Sequence, residues 1–308
     1  MSEPIQQSGN FVGIEVSAAA INAVCIDGAG TVLNSLKVPF DRRSETLPQL
    51  LAVVDKIKQG WGGFEKIGIA VPGLISRETK RVAFSARIPE HSVIDLAAEI
   101  RSATGLQTLI ENDANAAAYG EFIAGAGRGS RNIFYATLGA GVGGAFIING
   151  DIWKGAAGFA GEFGYVPINS EGMRLEDVAS SANIVRRTVS RYQQDSTSSL
   201  SRLEEDRIGI ADIVTAAAKE DDFARMMLER TGTYVGTAIA SVINLLNIEK
   251  IVIGGEIMQA GDVVLDAVIR RAKELSFSPS FENTGIVAGE LGENAPAIGV
   301  ALIAGSEA

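Results

Sequence analysis

The first forty residues alternate between short apolar runs and small or polar breaks. The apolar runs are partly β-branched, and one break is the dipeptide Asp27-Gly28. Runs of this kind, bounded by turn residues, are typical of strands joined by tight turns. The pattern predicts a three-stranded antiparallel meander with strands at 11–16, 21–26 and 31–38.

The rest of the chain mixes helical and strand patterns. Apolar residues spaced three and four apart predict helices, at 45–57, 95–104, 114–124, 223–246, 262–275 and 296–304. Short apolar runs predict strands at 66–71, 108–111, 132–138, 144–148, 250–253 and 285–287. Asn149-Gly150 is a two-residue hairpin turn in this pattern. The serine-rich segment 193–207 is expected to be an exposed loop.

The long helix and the order of the elements indicate how the chain is organised. Val235, Ile239, Val242 and Leu246 recur at helical spacing, which predicts one buried stripe along the helix 223–246. Strands followed by helices recur after residue 130. We expect two related α/β lobes with a cleft between them, the smaller formed by 1–117 plus 295–308 and the larger by 118–294.

Composition narrows the function classes. Hydrophobic residues make up 46% of the 308 residues and charged residues 21%, as in a globular protein with a sizeable core. A formal net charge of -10 argues against nucleic-acid binding. Cys25 is the only cysteine, so an internal disulfide and a cysteine zinc cluster are excluded. Without a signal pattern at residues 1–10 or a bilayer-length apolar run, we expect a cytoplasmic protein.

Three segments combine glycine with acidic or amide side chains. Asn112-Asp113 lies at a predicted strand-to-helix junction, 138–144 is a glycine-rich turn between two predicted strands, and Gly161-Glu162 begins a second acidic turn. Carboxylates accept several hydroxyl donors at once, which suits a polyol. Glycine lets backbone amides approach phosphate closely. This layout predicts phosphoryl transfer to a sugar.

These motifs resemble those of the ROK family, which comprises sugar kinases and sugar-responsive repressors on the actin-like, ribonuclease-H-like ATPase fold. The resemblance extends from about residue 11 to residue 304. It rests on the order and spacing of the segments 112–115, 138–144, 155–156, 160–164, 175–176, 179–180 and 253–255. It implies ATP and Mg²⁺ as cofactors, a sugar substrate and a homodimer.

The resemblance implies that Asp113 is the general base, and the residues alone allow a second interpretation. A positioned carboxylate that accepts the proton of a sugar hydroxyl typically contributes ~10²–10⁴ in rate. Aspartate is also a preferred N-cap, so Asp113 could instead only cap the helix that starts at Ala114. By the same resemblance, the sugar is held by Asn112, Glu162 and Glu176. Tyr165, which departs from the family pattern, could still donate a hydrogen bond to it, and we include Gly73 with these residues.

The residues of the implied nucleotide site match the family pattern only in part. Its phosphate-binding residues are expected to be Gly139, Ala140, Gly141, Gly143 and Gly144, with Gly254 and Gly255 near the adenine or ribose. The first loop departs from the Asp-x-Gly-Gly-Thr of active kinases, since the chain has Glu15-Val16-Ser17-Ala18-Ala19. Glu15 keeps a carboxylate that could bind magnesium through water. Ser17 and Ala18 replace glycines, and Ala19 lacks the hydroxyl that would donate to phosphate.

A second departure concerns a structural zinc. Many family members have a histidine after Gly-Glu-x-Gly and a cysteine-rich segment before the Leu-Glu. This chain has Tyr165 in place of that histidine and no cysteine between Ile168 and Leu175, so we expect no zinc. The sugar preference is therefore open, since that histidine often contacts the sugar in relatives.

Three hypotheses remain from the sequence. The first is an ATP- and magnesium-dependent hexose kinase. The second is a sugar-binding sensor or pseudokinase that acts through a protein partner, because only about ten residues precede the first strand and the charge fits no DNA contact. The third is a structural subunit of a hetero-oligomer, which the retained Asp113 and Glu162 disfavour.

Overall fold

The computed structural model describes residues 10–306. These residues form two compact units. The first comprises 10–129, 145–161 and 293–306, and the second comprises 130–144 and 162–292. The predicted boundary after residue 117 falls inside a helix of the first unit, because that helix packs along most of its length against the C-terminal helix. The first unit therefore extends further than the predicted small lobe.

The first unit is built on a five-stranded sheet with the order β3-β2-β1-β4-β7. The meander β1–β3 is antiparallel, as predicted, and β1, β4 and β7 run parallel. A separate two-stranded hairpin, β5–β6, follows β4. The strands are β1 (Phe11–Val16), β2 (Ala20–Ile26), β3 (Val32–Pro39), β4 (Lys66–Val71), β5 (Leu74–Ile75), β6 (Val82–Phe84) and β7 (Gln107–Asn112).

Helices cover both faces of this sheet. They are α1 (Thr46–Trp61), α2 (Leu96–Thr104), α3 (Asp113–Ala124) and, at the C-terminus, α10 (Ala295–Ser306). The helix α10 is apolar throughout and buried at nearly every position, and it packs on β1, β4 and α3. A Cβ at Gly299 would lie 1.7 Å from the Ala116 carbonyl oxygen of α3. Glycine is therefore required where α10 meets the helix that begins at Asp113.

The second unit carries most of the other helices. They are α4 (Glu176–Ala179), α5 (Ser181–Val189), α6 (Ile210–Ala218), α7 (Asp222–Leu246), α8 (Asp262–Leu275) and α9 (Ser278–Glu282). The second sheet has the order β10-β9-β8-β11-β12. Its strands are β8 (Ile133–Leu138), β9 (Val142–Ile148), β10 (Asp151–Ile152), β11 (Lys250–Gly254) and β12 (Gly285–Ala288). The chain passes from the second unit into the first within β9.

Two predicted features differ from the structure. The buried stripe of α7 continues from Val235 and Ile239 to Ile243, while Leu246, the last residue of the helix, is 49% exposed. The segment 193–207 is not a plain exposed loop. It contains short 3₁₀ helices at Ser199–Arg202 and Glu205–Arg207, and Leu200 is buried.

Candidate active site

The junction of β7 and α3 carries the predicted base. Asn112, and not Asp113, is the N-cap of α3, since its Oδ1 accepts a hydrogen bond from the Asn115 amide at 3.0 Å. The interpretation of Asp113 as a mere N-cap is therefore wrong, and Asp113 is the first residue of the helix. Its Oδ1 accepts from the Ala114 amide at 2.9 Å and from Asn112 Nδ2 at 3.1 Å.

The electrostatics of Asp113 suit a proton acceptor. Burial raises the pKa of its carboxyl, while hydrogen bonds from Ala114 and Asn112 and the charge of Arg87 oppose that rise. A carboxylate with a raised pKa is a stronger base near neutral pH. Sequence reasoning missed Arg87, because it lies in a loop 26 positions from Asp113 with no motif around it.

Asn112 also connects Asp113 with Gly73. Its Nδ2 donates to the Gly73 carbonyl oxygen at 3.0 Å as well as to Asp113. A Cβ on Gly73 would lie 2.7 Å from the Phe84 carbonyl oxygen, so the position accepts only glycine. The structure thus brings three predicted site residues together. Both amide hydrogens of Asn112 are used within the protein, and its contact with sugar stays a prediction.

Beneath this junction lies an ion pair that sequence reasoning did not predict. Glu111 is 2% exposed, and its Oε2 accepts a hydrogen bond from Lys154 Nζ at 2.5 Å. Its Oε1 accepts from the Asn112 amide at 2.9 Å and from Asn115 Nδ2 at 3.0 Å. Glu111 adjoins the motif, but nothing in the pattern indicates Lys154 as its partner across 43 positions.

Glu15 lies at the end of β1 in the same unit. It is half-buried, and burial, together with repulsion from Asp113, raises its pKa to about 8. The nearby charges of Lys37 and Glu293 act in opposite directions. Two carboxyl groups that repel each other in a partly buried site would be stabilised by a divalent cation. Binding of Mg²⁺ at Glu15 stays a prediction.

The turn after Glu15 is closed by its own serine. The Ser17 hydroxyl accepts hydrogen bonds from the Ala20 amide at 3.1 Å and the Ala19 amide at 3.4 Å, and it donates to the Ala20 carbonyl oxygen at 3.0 Å. The Ser17 amide in turn donates to Ala20 O at 2.9 Å. The amide groups that would face a phosphate oxygen are thus paired with Ser17. This turn fits a nucleotide phosphate poorly as it stands.

In the second unit, the glycine-rich turn between β8 and β9 is held from outside. The Val142 amide donates to Glu176 Oε2 at 2.9 Å, and the Gly139 carbonyl oxygen accepts from the Ser181 amide at 2.8 Å. The Ser181 hydroxyl donates to Glu256 Oε1 at 2.6 Å. A carboxylate that supports this turn is a use of Glu176 that the sequence did not predict, and its role as a sugar ligand stays a prediction.

Gly254 and Gly255 pack against the same turn. Gly255 has a φ of 98°, and a Cβ there would lie 2.2 Å from the Leu138 carbonyl oxygen. On Gly254 a Cβ would lie 2.4 Å from the Tyr135 hydroxyl. The end of β11 can therefore approach the turn only because both residues are glycine.

Glu162 immediately precedes the short 3₁₀ helix Phe163–Tyr165, and Tyr165 is the last residue of that helix. Tyr165 is 59% exposed, and the Arg174 guanidinium lies 4.9 Å from its ring centroid. Gly164, between them, packs close to the side chain of Glu176. The predicted sugar ligands of the second unit therefore form one group, and those of the first unit form another around Asp113.

Within residues 10–306, His, Cys, Asp and Glu side chains form no group of three or more that could hold a metal ion. Over the same residues, the helices are too short or too polar to span a bilayer.

The structure places the predicted carboxylate at the start of α3 and the predicted glycine-rich turn between β8 and β9. A sequence model of the ROK family matches residues 11–307, and the chain belongs to this family. It is similar to a glucokinase of Halalkalibacterium halodurans, with 30% identity over 94% of this chain and 93% of that protein. It is also similar to a xylose repressor of Bacillus subtilis, with 27% identity over 97% of this chain and 77% of that protein.

The solved structures similar to this chain also include both a kinase and a transcriptional regulator. A ROK family glucokinase from Streptomyces griseus, in complex with glucose and AMPPNP, superposes with a TM-score of 0.88 at 26% identity, covering 96% of this chain and 99% of that one. A ROK family transcriptional regulator superposes with a TM-score of 0.84 at 28% identity, covering 97% and 79%. The predicted family and the predicted actin-like α/β ATPase fold are thereby confirmed.

Proposed function

We propose that this protein is an ATP-dependent kinase of a hexose or hexose derivative, with Asp113 as general base. The observation that carries the proposal is the placement of the Asp113 carboxylate at the start of α3, with its pKa raised by burial and its orientation fixed by Asn112. The glucokinase relatives support the same reaction.

The proposed chemistry follows from these groups. A sugar hydroxyl attacks the γ-phosphorus of ATP, its proton passes to Asp113, and ADP leaves with the electrons of the broken P–O bond. Glu15 would hold Mg²⁺, which neutralises charge on the transferring phosphoryl group. The remaining contributions of this chain are to orient the hydroxyl and to exclude water. A homodimer and the absence of nucleic-acid binding stay predictions.

The test is ADP release from Mg-ATP across a panel of hexoses, N-acetylhexosamines and fructose. Turnover with one sugar should fall by at least ~10² in Asp113→Asn, while sugar affinity stays nearly constant. Asp95→Asn is the matched control, because Asp95 is also an aspartate at a helix start, where it caps α2. If Asp113→Asn turns over as fast as the wild type, Asp113 is not the base.

A second function is favoured by one observation, the closed turn at Ser17. In this alternative, the protein binds sugar and transfers little or no phosphate, acting as a sensor through a protein partner. The xylose repressor and the transcriptional regulator among its relatives support that reading. Calorimetric titration separates the two: sugar binding without measurable ATP binding or ADP release would replace the kinase proposal by the sensor.

A further inference from the structure

Glu111 is a buried carboxylate whose charge is balanced by one lysine. Its side chain is 2% exposed, whereas that of Lys154 is 32% exposed, and the two groups are 2.5 Å apart. A buried charge is tolerated only when it is paired and hydrogen-bonded, and breaking such a pair is far more costly than breaking one at the surface. The position of the Glu111 carboxylate therefore depends on its ion pair with Lys154.

The other oxygen of Glu111 reaches the proposed catalytic group. Oε1 accepts hydrogen bonds from the amide of Asn112 and from the side chain of Asn115. The Asn112 side chain caps α3 through the Asn115 amide and donates to Asp113 Oδ1. An unbroken series of polar contacts thus runs from the lysine ammonium to the carboxylate of Asp113.

Lys154 is itself held in place. The neighbouring Trp153 amide donates to the Phe146 carbonyl oxygen at 2.9 Å, and the two rings pack edge to face with centroids 5.9 Å apart. Three residues further on, the Ala157 carbonyl oxygen accepts from the Arg77 amide at 2.9 Å. The backbone on both sides of the lysine is therefore held within the first unit, and its ammonium group contacts Glu111 from there.

We propose that Lys154 is a positioning residue that acts on Asp113 through the buried carboxylate of Glu111. The inference rests on the proposed function, since it takes Asp113 as the group that accepts the sugar proton. Side chains that hold a catalytic group from behind set its geometry, and a displacement of ~1 Å can cost ~10² in rate.

The kinetic test uses Lys154→Met and Lys154→Arg. The methionine keeps the length of the side chain without its charge, and we expect kcat to fall at least ~10-fold while the KM for ATP stays within about twofold. The arginine restores a cation and should recover most of the loss. A purely structural lysine would lower the thermal midpoint and the fraction of active protein, but it would not change kcat per active site.

Two further variants guard against misfolding and nonspecific effects. Lys154→Met together with Glu111→Gln removes both charges, while the amide oxygen of the glutamine can still accept from Asn112 and Asn115. This pair should fold and give a kcat between those of Lys154→Met and the wild type. Lys58→Met is the surface control, because Lys58 is an exposed lysine of the same unit that donates to the Thr104 carbonyl oxygen; we expect it to behave as wild type.

A second readout does not depend on turnover. The ¹³C carboxyl signal of Asp113, assigned by its loss in Asp113→Asn, is titrated in the wild type and in the Lys154 variants. Lys154→Met should move the apparent pKa of Asp113 by at least about half a unit, and Lys154→Arg should return it. If neither the Asp113 titration nor kcat responds to Lys154→Met, the positioning role is overturned. If the wild type phosphorylates none of the sugars, the kinase proposal fails separately, and the titration alone decides the role of Lys154.

Discussion

The two candidate phosphate loops of this protein differ in their glycine content and in the side chains that hold them. In the first unit, the turn after β1 has no glycine, and the Ser17 hydroxyl pairs with the Ala19 and Ala20 amides of its own turn. In the second unit, the glycine-rich turn after β8 is supported from behind by Glu176 and Ser181, which lie outside it in the sequence.

This difference separates two ways of holding a tight turn. A turn stabilised by a side chain of its own is complete without a ligand, since its donors are already paired. The glycine-rich turn also pairs two of its amides, Gly139 with the Gly141 carbonyl oxygen and Val142 with Glu176, but its glycines let a ligand approach the backbone closely. The loop at Gly139 therefore resembles a working phosphate site more closely than the turn at Ser17.

We expect the largest loss of stability from a substitution of Gly255, which packs against Leu138 at the start of the glycine-rich turn. Gly255→Ala places a Cβ 2.2 Å from Leu138 O at a φ of 98°. Strain and clash together should cost roughly 3 kcal/mol or more, which lowers the midpoint of thermal unfolding by roughly 6–12 °C. Scanning calorimetry measures this change, and binding of ATP should weaken with it.

Gly261→Ala is the matched control for that variant. Gly261 also has a positive φ, of 75°, but a Cβ there would meet nothing within 4 Å. Its cost should be that of the backbone conformation alone, about 1 kcal/mol. Equal losses in the two variants would show that packing against Leu138 does not shape the turn, and the contrast between the loops would weaken.

The next effect tests the closed turn directly. Ser17→Gly, Ala18→Gly and Ala19→Thr together release the paired amides and restore a hydroxyl donor. A hydrogen bond to a charged phosphate is worth roughly 1.5–3 kcal/mol, so ATP affinity or turnover should rise at least ~10-fold. Both are measured by ADP release at varied ATP concentration.

Ser17→Ala alone distinguishes the effect of releasing the two amides from the effect of adding glycines. It removes the hydroxyl that accepts from Ala19 and Ala20 and changes little else. A partial gain in ATP affinity is expected. If the triple variant neither binds ATP more tightly nor turns over faster, the turn is not a damaged phosphate clamp.

Features encoded by local residues were predicted from the sequence. Both residues of the Asn149-Gly150 turn have positive φ, as a two-residue hairpin requires. The meander β1–β3 was also predicted with nearly the observed strand bounds, because each strand is bounded by small or turn residues.

Features that depend on distant contacts were not predicted. The pairing of Lys154 with Glu111 joins positions 43 apart, and the closure of the turn by Ser17 follows from hydroxyl geometry. The predicted burial of Leu246 in α7 was wrong, because a helical pattern does not show which positions other elements cover. The identity of the N-cap, Asn112 and not Asp113, required the position of one side-chain oxygen.

The last effect concerns Glu15, at the start of the closed turn. Its pKa is raised to about 8 from an ordinary value of 4.5, so the folded protein keeps a proton there that the unfolded chain has lost. The stabilisation is complete below about pH 4.5 and is lost progressively as the pH rises through about 8.

Glu15→Gln removes this dependence. Between pH 5 and pH 8, a shift from 4.5 to about 8 corresponds to a loss of at most roughly 3–4 kcal/mol relative to the variant. Solvent around the half-buried side chain reduces this loss, and it is measured as the larger fall in the thermal midpoint of the wild type. Mg²⁺ should reduce the difference at pH 8, because a cation stabilises the ionised carboxylate that the turn otherwise disfavours. Parallel pH profiles for the two proteins would mean that Glu15 is ionised throughout. The turn after β1 would then hold a negative charge even without a cation, and its contrast with the glycine-rich turn would rest on Ser17 alone.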